Sequence, residues 1–103
     1  MTKAEQIIET LRTHQRELEA LGVRHAALFG STARGTARAK SDIDLAISFA
    51  QTAEEGGLSY FGMRERVREY LDDLFDSEVD VSDPGMMRAH IRENYGVNRV
   101  DAF

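Results

Sequence analysis

Two short segments of the chain alternate an acid with an aliphatic residue: Asp42-Ile43-Asp44-Leu45 and Glu78-Val79-Asp80-Val81. Side chains alternate faces along a strand, so each segment reads as a half-buried strand with its carboxylates on one side. Between them, residues 58–75 place Leu58, Phe61, Val67, Leu71, Leu74 and Phe75 on an apolar helical stripe. Strand, helix and strand in that order predict parallel neighbours joined by a right-handed crossover. In register, Asp80 comes level with Asp42 and Asp44. Three carboxylates on one patch repel one another and raise each other's pKa values, a cost that a divalent cation removes. Oxygen donors without His or Cys favour magnesium or manganese over zinc.

The remaining segments fit around that unit. Residues 3–21 carry Ile7, Ile8, Leu11, Leu18 and Leu21 at helical spacing, with Thr2 as a cap and Gly22 as the end. Residues 23–29 form a first strand, broken by Gly30-Ser31, and 36–41 a small basic loop. The second strand is expected over Ile43 to Phe49, followed by a polar loop from Gln51 to Gly57. Asp83-Pro84 reads as the start of a last helix over about 84–94 that buries Met87 and Ile91, since Asp caps and proline suits the first helical position. Residues 97–103 are expected to add a short final strand. The order α-β-α-β-α-β-α predicts a small α/β sandwich.

With 103 residues, 42% of them hydrophobic and 30% charged, the sequence is expected to form one globular domain over 1–103. No apolar run approaches the roughly 18–20 residues that span a bilayer, so no membrane role is expected. The first residues carry no signal-peptide core, and the absence of cysteine fits a reducing cytoplasm. A net charge of −5 argues against stable nucleic-acid binding. That charge is uneven: Gly22 to Ser41 holds no acid, but has Arg24, Arg34, Arg38 and Lys40. Such a segment is either a solvated basic loop or an anion site.

The short connection from Gly30 to Asp42 puts the end of strand one beside the start of strand two, with Gly30-Ser31 within reach of the carboxylates. Glycine admits a phosphate close to the backbone, and Ser31 adds a hydroxyl and a following helix N-terminus. Arg34, Arg38 and Lys40 are placed to meet further phosphate oxygens. Together these make a nucleoside-triphosphate site, in which three aspartates and two magnesium ions align an attacking hydroxyl with a leaving pyrophosphate. Taken singly, Gly-Ser is commonplace, and an Asp-x-Asp strand start is commonly just a soluble edge; the spacing of the set is what selects the functional reading. His14, His25 and His90 show no metal-ligand spacing and read as structural or surface residues. Met86 and Met87 read as packing, as do Tyr60, Tyr70 and Tyr95, and the run from Arg64 to Glu69 reads as a solvated helix face.

Gly30-Ser31, ten residues, then Asp42-Ile43-Asp44 resembles the signature of the minimal nucleotidyltransferases in the DNA polymerase beta superfamily. The resemblance extends through Leu28 to Gly35, Ser41 to Leu45 and Glu78 to Val81. It implies the nucleotidyltransferase fold, a small mixed β-sheet flanked by helices, and transfer of a nucleoside monophosphate with two magnesium ions. By carry-over, Gly30, Ser31 and Arg34 hold the triphosphate, Asp42 and Asp44 bind metal, and Asp80 binds metal and helps activate the acceptor hydroxyl. Small members of this kind are often antitoxins of HEPN-domain ribonuclease toxins, and some attach AMP from ATP to a toxin tyrosine. The larger members carry extra domains that grip a polynucleotide or an antibiotic, and no such segment is visible here, which favours a protein acceptor. An idle antitoxin that acts by contact alone is the alternative. A transferase acting on RNA ends or small molecules is a third reading, without a visible binding domain.

Overall fold

In the computed structural model, residues 3–29, 43–86 and 99–103 are described. The first helical segment is two helices, α1 (Lys3–Thr13) and α2 (Gln15–Ala20), where the sequence predicts one. Side chains compete there for the backbone acceptors. Thr10 Oγ1 donates to the Gln6 carbonyl at 2.8 Å, Thr13 Oγ1 to Glu9 at 2.9 Å, and the His14 ring pairs with the Thr10 carbonyl at 2.9 Å. Such back-bonding bends helices, and His14 turns the chain with φ −103° and ψ 18°.

Strand β1 (Val23–Leu28) runs antiparallel to β2 (Ile43–Phe49), which has the expected bounds. The polar segment after β2 contains a helical turn, α3 (Ala53–Gly56), in place of the expected loop. Thr52 caps it: the Glu55 amide donates to Thr52 Oγ1 at 3.2 Å, and that hydroxyl donates to the Glu55 carboxylate at 3.0 Å. Helix α4 (Leu58–Phe75) then leads to β3 (Val79–Ser82), which pairs parallel with β2 as predicted. After Asp83, Pro84–Met86 forms a 3-10 turn, with Asp83 Oδ1 accepting from the Gly85 amide at 2.9 Å. The rest of the expected last helix, with Met87 and Ile91, lies outside the described residues, as does the Thr2 cap. A two-residue strand, β4 (Val100–Asp101), completes a mixed sheet of order β3-β2-β1-β4.

The aliphatic residues of one sheet face make the core. Ile43, Leu45 and Ile47 of β2, Leu28 and Ala26 of β1, and Val79 and Val81 of β3 are buried against Ile7, Ile8 and Leu11 of α1, Leu18 of α2 and Val67 and Leu71 of α4. The other face carries Asp44, Ala46 and Ser48 on β2, with Ala27 and His25 as their antiparallel neighbours and Asp80 and Ser82 as their parallel ones. The stripe of α4 departs from expectation at its start. Tyr60 and Met63 turn inward, while Leu58 is 91% and Phe61 52% exposed. A stripe through Tyr60, Met63, Val67 and Leu71 is the one whose spacing follows the helical repeat. Among the described residues no helix is long and apolar enough to cross a membrane.

Tyr60 joins the layers. Its ring meets Phe49 edge to face, and its buried hydroxyl donates to Asp83 Oδ2 at 2.6 Å. Burial first, and then the bond to Asp83, push its pKa up to about 12. The neutral phenol is therefore the form that folding favours, so the contribution of Tyr60 is full below pH 10 and lost as pH rises through about 12. The difference in unfolding free energy between wild type and Tyr60→Phe is expected to shrink across that window, as read by urea unfolding at stepped pH. Gly22, between α2 and β1, has φ +106°, and a Cβ there would collide with Met63 Sδ. Gly22→Ala is expected to cost about 1–3 kcal/mol in the same assay, by backbone strain and displacement of a buried side chain.

Candidate active site

Asp44 is the second residue of β2, and Asp80 the second residue of β3. The strand register pairs Ile43 with Val79, Asp44 with Asp80, Leu45 with Val81 and Ala46 with Ser82. Register partners on adjacent strands present their side chains to the same face, with backbones about 4.8 Å apart. The two carboxylates therefore leave the sheet side by side, from the face opposite the aliphatic core. Asp44 is half-buried and Asp80 exposed. The level placement expected from the sequence is what the sheet shows.

The end of β1 reaches the same point. Leu28 pairs with Leu45, and the Phe29 amide donates to the Asp44 carbonyl at 3.2 Å. Phe29 directly precedes Gly30, and Ile43 directly follows Asp42. Gly30, Ser31, Arg34 and Asp42 themselves lie outside the described residues, together with Arg38 and Lys40. Of the sequence-predicted set, then, Asp44 and Asp80 are brought together. Among the described residues no group of three or more potential metal ligands assembles. The pair nevertheless suits a hard divalent cation: it offers carboxylate oxygens alone, open to solvent on the Asp80 side and backed by aliphatic residues.

Sequence reasoning missed the residues that hold β3. Asp72 Oδ1 accepts from the Val79 amide at 2.8 Å, and Arg64 donates to the Val81 carbonyl at 2.7 Å. Arg64 is thus not simply part of a solvated face. Arg68 bridges Glu65 and Asp72, donating to Asp72 Oδ2 at 2.7 Å. Its guanidinium holds the Glu65 carboxyl below the usual range. The spacing of four between Tyr60, Arg64, Arg68 and Asp72 is the signal that marks one helix face. His14 is a structural histidine as expected, bonded to Thr10 and edge-on to Tyr70. Met86, expected to pack, is 53% exposed.

A cavity of about 550 Å³ opens further along the sheet, lined by Arg24, Ser48, Gln51, Thr52, Glu54 and Asp83 among others. Ser48 lies four residues along β2 from Asp44, about 13 Å at the rise of a strand. The cavity is therefore separate from the carboxylate pair, although Ser48 shares its face.

Residues 5–95 match the family model described as polymerase beta nucleotidyltransferase. A Methanocaldococcus jannaschii protein assigned as a protein adenylyltransferase is 35% identical over 82 residues, covering 79% of this chain and 88% of the relative. The protein adenylyltransferase MntA of Thermococcus cleftensis is 34% identical over 82 residues, covering 79% and 77%. A solved structure of a protein assigned as a minimal nucleotidyltransferase superposes with a TM-score of 0.67 at 28% identity, covering 90% of this chain and 93% of that one. A complex of a tri-AMPylated Shewanella oneidensis HEPN toxin with an MNT antitoxin contains a chain with the same fold. It has a TM-score of 0.62 at 18% identity, over 93% of this chain and 71% of that one. A matched family model over most of the length, relatives above 30% identity and a carboxylate pair in strand register agree: the chain belongs to the polymerase beta nucleotidyltransferase family.

Proposed function

We propose that this nucleotidyltransferase moves AMP from ATP to a hydroxyl, a tyrosine for preference, of a partner HEPN ribonuclease toxin, and so acts as its antitoxin. The observation that carries the reading is the register of Asp44 with Asp80 in a chain whose relatives are assigned as protein adenylyltransferases. The toxin as acceptor follows from the family resemblance and from the complex in which a HEPN toxin carries AMP.

In this reading Asp42, Asp44 and Asp80 hold the divalent metal, magnesium or manganese. Gly30, Ser31 and Arg34 hold the triphosphate. When bound, the metal neutralises phosphate charge and lowers the cost of forming the attacking alkoxide or phenoxide. Asp80, on the solvent side of the pair, helps draw the proton from the acceptor hydroxyl. The acceptor oxygen forms a bond to the α-phosphorus as the bridging bond to the β-phosphate breaks, and pyrophosphate leaves. Asp44, backed by Ile43 and Leu45 in the core, keeps its place through that exchange.

Three measurements test this. ATP binding by calorimetry is expected to need magnesium, because the carboxylates repel the phosphates without it. Equal affinity in EDTA sinks the site. Asp44→Asn is expected to abolish transfer while leaving the thermal midpoint in EDTA unchanged or raised, since one charge leaves a repelling pair. With the cognate toxin, ATP and magnesium, intact mass spectrometry is expected to show steps of about 329 Da per AMP unit on the toxin. Asp42→Asn should remove the steps but keep the complex. Neutralisation by that variant, with no mass step from the wild type, makes contact alone the better account.

A further inference from the structure

We infer that one face of α4, carrying Tyr60, Arg64, Arg68 and Asp72, fixes β3 in the register that sets Asp80 beside Asp44, with Asp72 and Arg64 as positioning residues for Asp80. The inference deepens the proposed site and rests on the metal-binding role given to Asp80 there.

Strand β3 has four residues and, among the described strands, borders β2 alone. In a parallel pair, alternate residues turn their backbone groups toward the neighbour and away from it. The Ile43 amide donates to the Glu78 carbonyl at 3.2 Å. Glu78 and Asp80 therefore direct their backbone groups toward β2, and Val79 and Val81 direct theirs to the outer edge. Those outward groups are the ones α4 takes. Asp72 accepts from the Val79 amide and Arg64 donates to the Val81 carbonyl, so the residues on both sides of Asp80 are held.

The aliphatic face of the strand pair opposes a slip of one residue, but nothing in the pair favours opposing the two acids over a slip of two. Like charges placed directly opposite destabilise strand pairing. A slip of one residue would turn the Asp80 carboxylate toward the aliphatic face. A slip of two keeps the face but breaks both bonds to α4. The clamp is itself braced, because Arg68 holds Asp72 Oδ2 and grips Glu65 with its other arm. Beyond the strand end, Tyr60 holds Asp83. Four residues at a spacing of four make one row along the helix, about 18 Å long at 1.5 Å per residue. That exceeds the length of a four-residue strand, about 13 Å, so one row is long enough to reach both Val79 and Val81.

The test compares Asp72→Ala with Asp72→Asn, which keeps an acceptor for the Val79 amide. Manganese is titrated into each protein and followed by electron paramagnetic resonance. Strand register is read separately, without metal, from cross-strand NMR contacts between residues 43–46 and 79–82. Asp72→Ala is expected to raise half-saturating manganese about tenfold, the scale on which supporting residues act on metal affinity. Asp72→Asn is expected to stay within about twofold of wild type. Half-saturating manganese rises as the reciprocal of the folded fraction, so each value is corrected by the folded fraction measured by circular dichroism, and the rise that remains is lost positioning. Arg64→Met should act as Asp72→Ala does, and Arg64→Lys should recover part of the loss. Unchanged register and manganese affinity in Asp72→Ala, or equal losses in the Ala and Asn variants, overturn the clamp. A wild type that binds no manganese, alongside an Asp72→Ala variant that loses the cross-strand contacts, overturns the metal site and supports the clamp.

Discussion

Parallel pairing of β2 with β3 puts two carboxylates opposite each other, at an electrostatic cost that other contacts must offset. Two like charges about 5 Å apart repel by about 1 kcal/mol in water, and by more where solvent is partly excluded. Asp44 is half-buried, so its share of that repulsion is the less screened. Against it stand the buried aliphatic residues on the reverse of the same strands, Ile43, Leu45, Val79 and Val81. Each is worth about 1.5–3 kcal/mol when fully buried. The strands are thus held together from behind by the core, and the acids face forward because their aliphatic neighbours face back. Side chains of α4 add hydrogen bonds to charged groups, each contributing about 1.5–3 kcal/mol. Together these terms exceed the repulsion, and the pairing holds.

The two edges of the described sheet are treated alike. At the β3 edge Arg64 donates to the Val81 carbonyl. At the β4 edge Arg12 of α1 donates to the Ala102 carbonyl at 2.7 Å and to the Asp101 carbonyl at 3.4 Å. Short edge strands leave backbone groups unpaired, and a long side chain with several donors can reach around the edge to meet them. The helices therefore do more than cover apolar surface. They keep both ends of the sheet in place from the core side, which leaves the opposite face to carry charge.

Much of this was legible in the sequence, and for a physical reason. Alternation with period two identified β2 to the residue and β3 nearly so, and the strand–helix–strand order gave their parallel pairing; from these the meeting of Asp44 and Asp80 followed. Helix α4 was also found with its observed bounds, but its stripe was misread at Leu58 and Phe61. Apolar residues near a helix start satisfy a loose periodic pattern whichever way they face, and the phase is fixed only further along, at Val67 and Leu71. The break at His14 was invisible because Thr10, Thr13 and His14 are compatible with a helix until their side chains take the backbone acceptors. The turn of α3 was readable from Thr52 and Glu55, three apart, yet the surrounding Gly56-Gly57 spoke for a loop. Arg64 and Asp72 could not be assigned, because their partners are backbone atoms, which carry no sequence signal of their own.

Strand-borne carboxylates also explain how a small sheet can hold a demanding geometry. Groups on strands are placed more accurately than groups on loops, since the ladder fixes their backbone on both sides. Asp44 is fixed by β1 through the Phe29 amide and by β3 through the register with Asp80. The described residues that flank the nucleotidyltransferase signature, Phe29 before Gly30 and Ile43 after Asp42, thus converge on that one aspartate. In the proposed function, a cation binding there would relieve a charge pair that is assembled before it arrives.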